Sequence, residues 1–226
     1  VYDNPPRPEL KWWNGWQANT GIRWLHAFKK DDHDLVLSGY GQRDQGYKLD
    51  ENDDQARINW SYEYQGLKKI SLGMNGGVLW SENGESLLWN SEEQGYVALD
   101  SSVTITNGVD VYLDPYVKWR NGNHINKVKG RYMRVENNAR NLTNVFDNSS
   151  DQFQLQYNYQ YFQENWILSG GAFSLYSESD SRLFGGFHTT SNLAVYGQVE
   201  RKWKNGHASL GIRYESQWVD ESSYAR

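Results

Sequence analysis

Cysteine is absent, which excludes disulfide scaffolds, thiolate metal sites and cysteine nucleophiles. Proline is scarce, 4 residues against 21 glycines, a ratio that fits extended strands with close backbone approach better than disorder. No run approaches the ~18 consecutive apolar residues of a membrane-spanning helix, and no signal-peptide pattern opens the sequence. Basic charge is also short. With 23 Lys+Arg against 28 Asp+Glu the 226-residue chain carries a net charge of −5, which argues against a general nucleic-acid binder. The length fits one large all-β domain or two small domains.

Aromatic residues are abundant: 11 Trp, 16 Tyr and 7 Phe. Soluble domains build their cores mainly from branched aliphatics. Here much of the apolar surface is carried by amphipathic rings, which suit a membrane–water interface.

Side-chain alternation decides the class. From Gln55 to Tyr64 the even positions are Ala56, Ile58, Trp60, Tyr62 and Tyr64, and the odd ones are Gln55, Arg57, Asn59, Ser61 and Glu63. Similar alternation runs through Ile70–Trp80, Val109–Trp119, Gln152–Tyr161 and Ala208–Glu215, and more weakly through Trp16–His26, Asp34–Asp44, Ile125–Glu136, Trp166–Tyr176 and Asn192–Lys202. Each stretch reads as a strand with one apolar and one polar face. Most reach the roughly 9–11 residues that a tilted strand needs to cross a bilayer. The joins support this reading. Short joins (Lys29–His33, Gln65–Lys68, Arg120–His124, Gln163–Asn165, Lys204–His207) alternate with long ones (Gln45–Asp54, Glu82–Asn107, Asn137–Ser150, Ser177–Ser191). In outer-membrane barrels short turns face the periplasm and long loops face outside. The expected fold is therefore all-β, an antiparallel transmembrane β-barrel, with about ten strands in view.

The first join is short, so a chain with periplasmic short turns enters from outside. On that basis 1–15 reads as an outer loop or linker, 16–218 as barrel wall, and 219–226 as the start of a further outer loop. The expectation is an interior portion of a larger barrel.

Several strings resemble the TonB-dependent outer-membrane receptors of Bacteroidetes-type bacteria. They are Ala56-Arg57-Ile58-Asn59-Trp60-Ser61-Tyr62 leading into 66–76, Glu85-Ser86-Leu87-Leu88-Trp89, Asp114-Pro115-Tyr116-Val117, Arg131-Tyr132, Ser191–Gln198 and Leu210-Gly211-Ile212-Arg213-Tyr214-Glu215. The resemblance implies a roughly 22-stranded barrel around a plug domain, nutrient uptake energised by the TonB complex through parts outside this sequence, and residence in the bacterial outer membrane. It also implies contact with lipid, lipopolysaccharide, the protein's own plug, and a surface lipoprotein or other outer-membrane subunits. The alternatives are a receptor-like barrel acting as a structural subunit of an outer-membrane assembly, and a complete ten-stranded pore or surface protease.

No catalytic residue, metal site or cofactor is expected. His26, His33, His124, His188 and His207 fall at strand ends, turns or loops, without a Ser or carboxylate partner at a suggestive spacing. Asp31-Asp32-His33-Asp34 reads as a polar turn. Asp50, Asn52 and Asp54 mimic the opening of a calcium loop, but Gln55 stands where its glycine belongs. Trp24, Trp60, Trp80, Trp119, Trp166 and Trp203 read as membrane-interface aromatics near strand ends. Arg57, Glu63, Gln152, Gln154, Gln156, Asn158, Arg213 and Glu215 are expected to face the lumen and its plug. Trp89, Tyr96, Phe184 and Phe187 are the loop candidates for ligand stacking. The long joins are more acidic than the chain as a whole, which should disfavour anionic solutes.

Overall fold

A computed structural model describes residues 18–46, 48–86, 88, 90–99, 102–182 and 185–220, with the backbone of 222–225. The expected outer loop at 1–15 lies outside the described residues. The strands are β1 (Asn19–Lys30), β2 (His33–Asp44), β3 (Asn52–Leu67), β4 (Ile70–Ser86), β5 (Val103–Asn121), β6 (His124–Arg140), β7 (Val145–Gln163), β8 (Trp166–Ser181), β9 (Gly186–Trp203), β10 (Gly206–Val219) and β11 (Ser222–Ala225). They form one antiparallel sheet in chain order, so every strand pairs only with its sequence neighbours.

The register carries the alternation from strand to strand. Leu72 opposes Val117, Val117 opposes Val128, Val128 opposes Tyr157, Tyr157 opposes Ala172, Ala172 opposes Val195 and Val195 opposes Tyr214. All the apolar positions of the five clearest stretches therefore share one face, and their polar alternates share the other. Large apolar side chains stand exposed on that face, among them Ile58, Leu72, Leu155, Leu193 and Ile212. The only buried hydrophobic residues among those described are Tyr96, Ala98 and Ala194. A wall one layer thick, wetted by lipid on one side, has no need of an internal apolar core.

Five two-residue turns join alternate strands at one end of the sheet. Asp31 (φ 50°), Lys69 (φ 70°), Gly122 (φ 57°) and Glu164 (φ 41°) occupy the left-handed region in four of them, as tight hairpins require. A bulge at Gln65-Gly66 inserts one extra residue against β4, so that Tyr64 pairs with Leu72 and Leu67 with Ile70. The bulge returns Leu67 to the apolar face.

At the opposite end the strands run much farther than expected. The long joins at Asn137–Ser150 and Ser177–Ser191 are mostly ladder: β6 continues to Arg140, β7 begins at Val145, β8 reaches Ser181 and β9 begins at Gly186. Beyond the lipid both faces meet water, so alternation disappears while backbone pairing continues. The 219–226 stretch, expected to open a loop, includes β11, which pairs with Ser216–Val219.

Trp24 and Trp60 depart from the expected positions near strand ends. Each lies mid-strand on the apolar face, over a glycine of the next strand. A Cβ at Gly39 would stand 2.7 Å from Trp24 Nε1, and one at Gly76 would stand 2.1 Å from Trp60 Cζ2. The glycines leave room for rings to lie flat on the wall. Gly76→Ala should displace the Trp60 ring and destabilise the wall by about 1–3 kcal/mol, the usual range for overpacking. Urea unfolding from lipid vesicles measures the loss; an unchanged midpoint would show that the ring moves without cost.

Candidate functional site

The polar face holds the most buried charge among the described residues. Asp114, 4 % exposed, accepts from Arg131 Nε and Nη2, both at 2.6 Å, and lies 3.2 Å from Lys129 Nζ. The forked geometry matches guanidinium to carboxylate and fixes both side chains. Folding the chain at Gly122-Asn123 brings Asp114 on β5 opposite Arg131 on β6. Both residues lie in strings that carry the family resemblance, yet their pairing appears only once the turn sets the register.

The other expected lumen residues share this face. Glu63 and Tyr116 both stand opposite Gly73, over which the Tyr116 ring lies, and Lys127 lies 4.4 Å from the centre of that ring. Gln156 Nε2 donates to Asn158 Oδ1 at 3.1 Å, and the Tyr196 hydroxyl donates to the same Asn158. Glu215 accepts from Asn192 Nδ2 at 2.5 Å and from Arg213 Nε at 2.7 Å. Arg57 sits on the same face of β3, with no hydrogen-bond partner for its buried Nε. Gln152 and Gln154 have no side-chain hydrogen bond among the described residues. Sequence reasoning gives no site role to Tyr112, Tyr116 and Tyr196. Parity alone places them with the polar set, and Tyr112 donates to Asn59 at 3.2 Å. The result is a surface of amides, hydroxyls and internally neutralised ions, suited to water or to a packed polypeptide.

The stacking candidates fare differently. Trp89 and Phe184 lie outside the described residues. Tyr96 is only 5 % exposed, because its loop folds against the β2–β3 loop, where Leu49 N donates to Tyr96 O at 2.8 Å. Its ring is covered by the chain itself and offers no open stacking platform. Phe187 is 61 % exposed, but it falls on the apolar parity of β9 and so on the outward face of the wall. Of the interface tryptophans, Trp119, Trp166 and Trp203 lie close to two-residue turns, and Trp80 lies toward the far end of β4. All are outward-facing. Asn52 and Asp54 extend along β3, so they do not wrap as a calcium loop must. A cleft of about 430 Å³ beside them is lined by Asp44, Glu51, Asp53 and Glu85, with Gly46, Asn52, Gln55, Asn83 and Gly84.

His188 has the carboxylate partner that its sequence neighbourhood hides. Its Nδ1 lies 2.6 Å from Asp220 Oδ2, and Thr189 N donates to Asp220 Oδ1 at 2.8 Å. The His188 hydrogen bond, then the Thr189 amide, hold the Asp220 carboxyl below its ordinary value.

No family model matches the chain, and no curated protein matches it. Solved structures do. FpvA of P. aeruginosa, determined as a pyoverdine–iron complex, superposes with a TM-score of 0.71 at 8 % identity, over 92 % of this chain and 37 % of that one. The ferric citrate transporter FecA gives 0.70 at 10 % identity, over 92 % and 37 %. The ferric-catecholate import receptor Fiu of E. coli K12 gives 0.69 at 10 % identity, over 88 % and 44 %. The fold is that of the barrel wall in these structures. These structural neighbours are TonB-dependent receptors, and this chain spans less than half of their length. Identities this low make the likeness one of fold.

Two outcomes follow from the charged contacts of the wall. Arg131→Met should destabilise it by about 2–3 kcal/mol, short of the ~3–5 kcal/mol for a fully stranded buried charge, because Lys129 stays beside Asp114. Denaturant titration of the refolded protein reads the difference. A depressed carboxyl value means that the Asp220 contribution is present above the ordinary carboxylate range and is lost as pH falls through the lowered value. Asp220→Ala should therefore speed exchange of the Thr189 amide several-fold at neutral pH, with the gap to the parent closing in strong acid.

Proposed function

We propose that this chain is barrel wall from a TonB-dependent receptor of Bacteroidetes type, sited in the bacterial outer membrane and importing a scarce nutrient such as a siderophore, vitamin, saccharide or peptide. The observation that carries this reading is the single apolar face maintained through ten strands of register, backed by a polar face of hydrogen-bonded side chains. Water-filled or plugged lumens ask for that pairing of faces, and a water-soluble sandwich does not. The ordered strings shared with the family, from Ala56–Tyr62 to Leu210–Glu215, support the finer assignment.

In this reading the two-residue turns face the periplasm and the long hairpins face outside. Gln152 and Gln154, unengaged within the wall, are contacts for a plug, together with Arg57, Glu63, Gln156, Asn158, Arg213 and Glu215. The partners are the plug, the TonB complex reached through it, lipid with lipopolysaccharide, and a surface lipoprotein above the barrel. The activity in this reading is transport rather than catalysis. Asp44, Glu51, Asp53 and Glu85 leave the outer rim acidic, which favours neutral or cationic solutes.

Deletion of the gene for the full receptor tests the proposal. The deletion should abolish growth on one limiting nutrient of these classes. Loss of the TonB complex should give the same defect, and the intact gene should restore growth. A deletion strain that takes up every such nutrient at the parental rate overturns the assignment.

A further inference from the structure

Two hairpins carry the same side-chain cluster on the apolar face, each at the turn end of its strands. β2 opens on His33 and β6 on His124, each directly after a two-residue turn. On the next strand Tyr64 stands opposite His33, and Tyr161 opposite His124. The tyrosine two residues earlier completes the cluster: the Tyr62 and Tyr159 hydroxyls each lie 2.8 Å from the histidine Nδ1. The facing rings repeat as well, Tyr64 at 4.9 Å and 39° from His33, Tyr161 at 4.8 Å and 33° from His124. Two strands, β4 and β5, separate the two copies, and the backbone ladder requires neither.

The surroundings at this rim are donor-rich. Lys30 pairs across the first hairpin with His33. The β3–β4 turn, Lys68-Lys69, lies between the clusters, and both lysines are exposed. Farther along, the Arg201 guanidinium rests 4.9 Å from the Trp166 ring. The carboxylates at this end include Asp31 and Asp32 in the first turn and Glu164 in the fourth. When the tyrosine hydroxyl is the donor to Nδ1, the imidazole carries its proton on Nε2. Each exposed histidine then presents a ring N–H, framed by aromatic faces, where the apolar wall gives way to water.

A free anion would use the donors but gain nothing from the wall beside them. A lipid uses both. We propose that the His33–Tyr62–Tyr64 and His124–Tyr159–Tyr161 clusters are two binding sites for anionic phospholipid in the leaflet on the hairpin side. The phosphate meets the histidine, the tyrosine rings flank the glycerol region, and the acyl chains lie along Leu72, Val117 and Tyr157. The lysines select a headgroup with no ammonium of its own, since like charges repel. This inference rests on the membrane-wall reading above.

Native mass spectrometry of the full receptor, delipidated in detergent and titrated with phosphatidylglycerol or phosphatidylethanolamine, tests it. The parent should retain two phosphatidylglycerol molecules, at least about fivefold more tightly than phosphatidylethanolamine, a ratio within the range of a single hydrogen bond. Excess inorganic phosphate should not displace them. Combined His33→Ala and Tyr64→Ala should remove one lipid, and adding His124→Ala and Tyr161→Ala should remove the second. Tyr62→Phe with Tyr159→Phe keeps every ring and should still weaken retention several-fold. Equal retention by the parent and the phenylalanine variant, equal binding of the two lipids, or displacement by inorganic phosphate overturns the proposal. A receptor that imports its nutrient normally yet shows any of these loses the lipid sites alone. A protein that fails to enter lipid vesicles overturns the wall reading beneath them.

Discussion

A sheet facing hydrocarbon must satisfy its backbone N–H and C=O groups from neighbouring strands, because lipid supplies no partner. That constraint organises this chain. It demands long, regular strands, and the regular ladder then sends alternate side chains to opposite solvents. The row from Leu72 through Val117, Val128, Tyr157, Ala172 and Val195 to Tyr214 is the outcome on one side. The Asp114–Arg131–Lys129 cluster is the outcome on the other.

Bulky rings could have compromised such a ladder, and glycine accommodates them. Trp60 over Gly76 and Trp24 over Gly39 use the apolar face, and Tyr116 over Gly73 and Tyr196 over Gly171 use the polar one. In each pair the ring occupies space that a neighbouring side chain would have filled. The high glycine and aromatic contents are thus two sides of one packing device. The two ends of the wall differ in chemistry: histidine–tyrosine clusters stand at two of the tight turns, and a cleft lined by four carboxylates stands at the extended end.

The strands were legible wherever one face meets lipid. Gln55–Tyr64 and Gln152–Tyr161 announce themselves because every second residue is apolar. Asn137–Arg140, Val145–Ser150 and Ser177–Ser181 do not, since water bathes both faces there and the ladder alone keeps them extended. Parity also placed the set from Arg57 to Glu215 on one face of the sheet. What lies across the sheet was not legible. The flat seating of Trp24 and Trp60 depends on glycines in other strands, and the Asp114–Arg131 pair depends on where the chain turns. The burial of Tyr96 arises from one loop folding on another. His188 and Asp220 meet through the β9–β10 pairing across 32 residues of sequence, which no local pattern encodes.

Every strand pairs its backbone only with its predecessor and its successor. Each hairpin can therefore zip onto the growing edge without waiting for a distant segment, which keeps loop-closure entropy small at every step. The same arrangement leaves a bare edge at each intermediate stage, ready to recruit any stray strand. Assembly of this wall should thus be quick in principle but dependent on a chaperone or insertion machine that shields the leading edge until the next hairpin arrives.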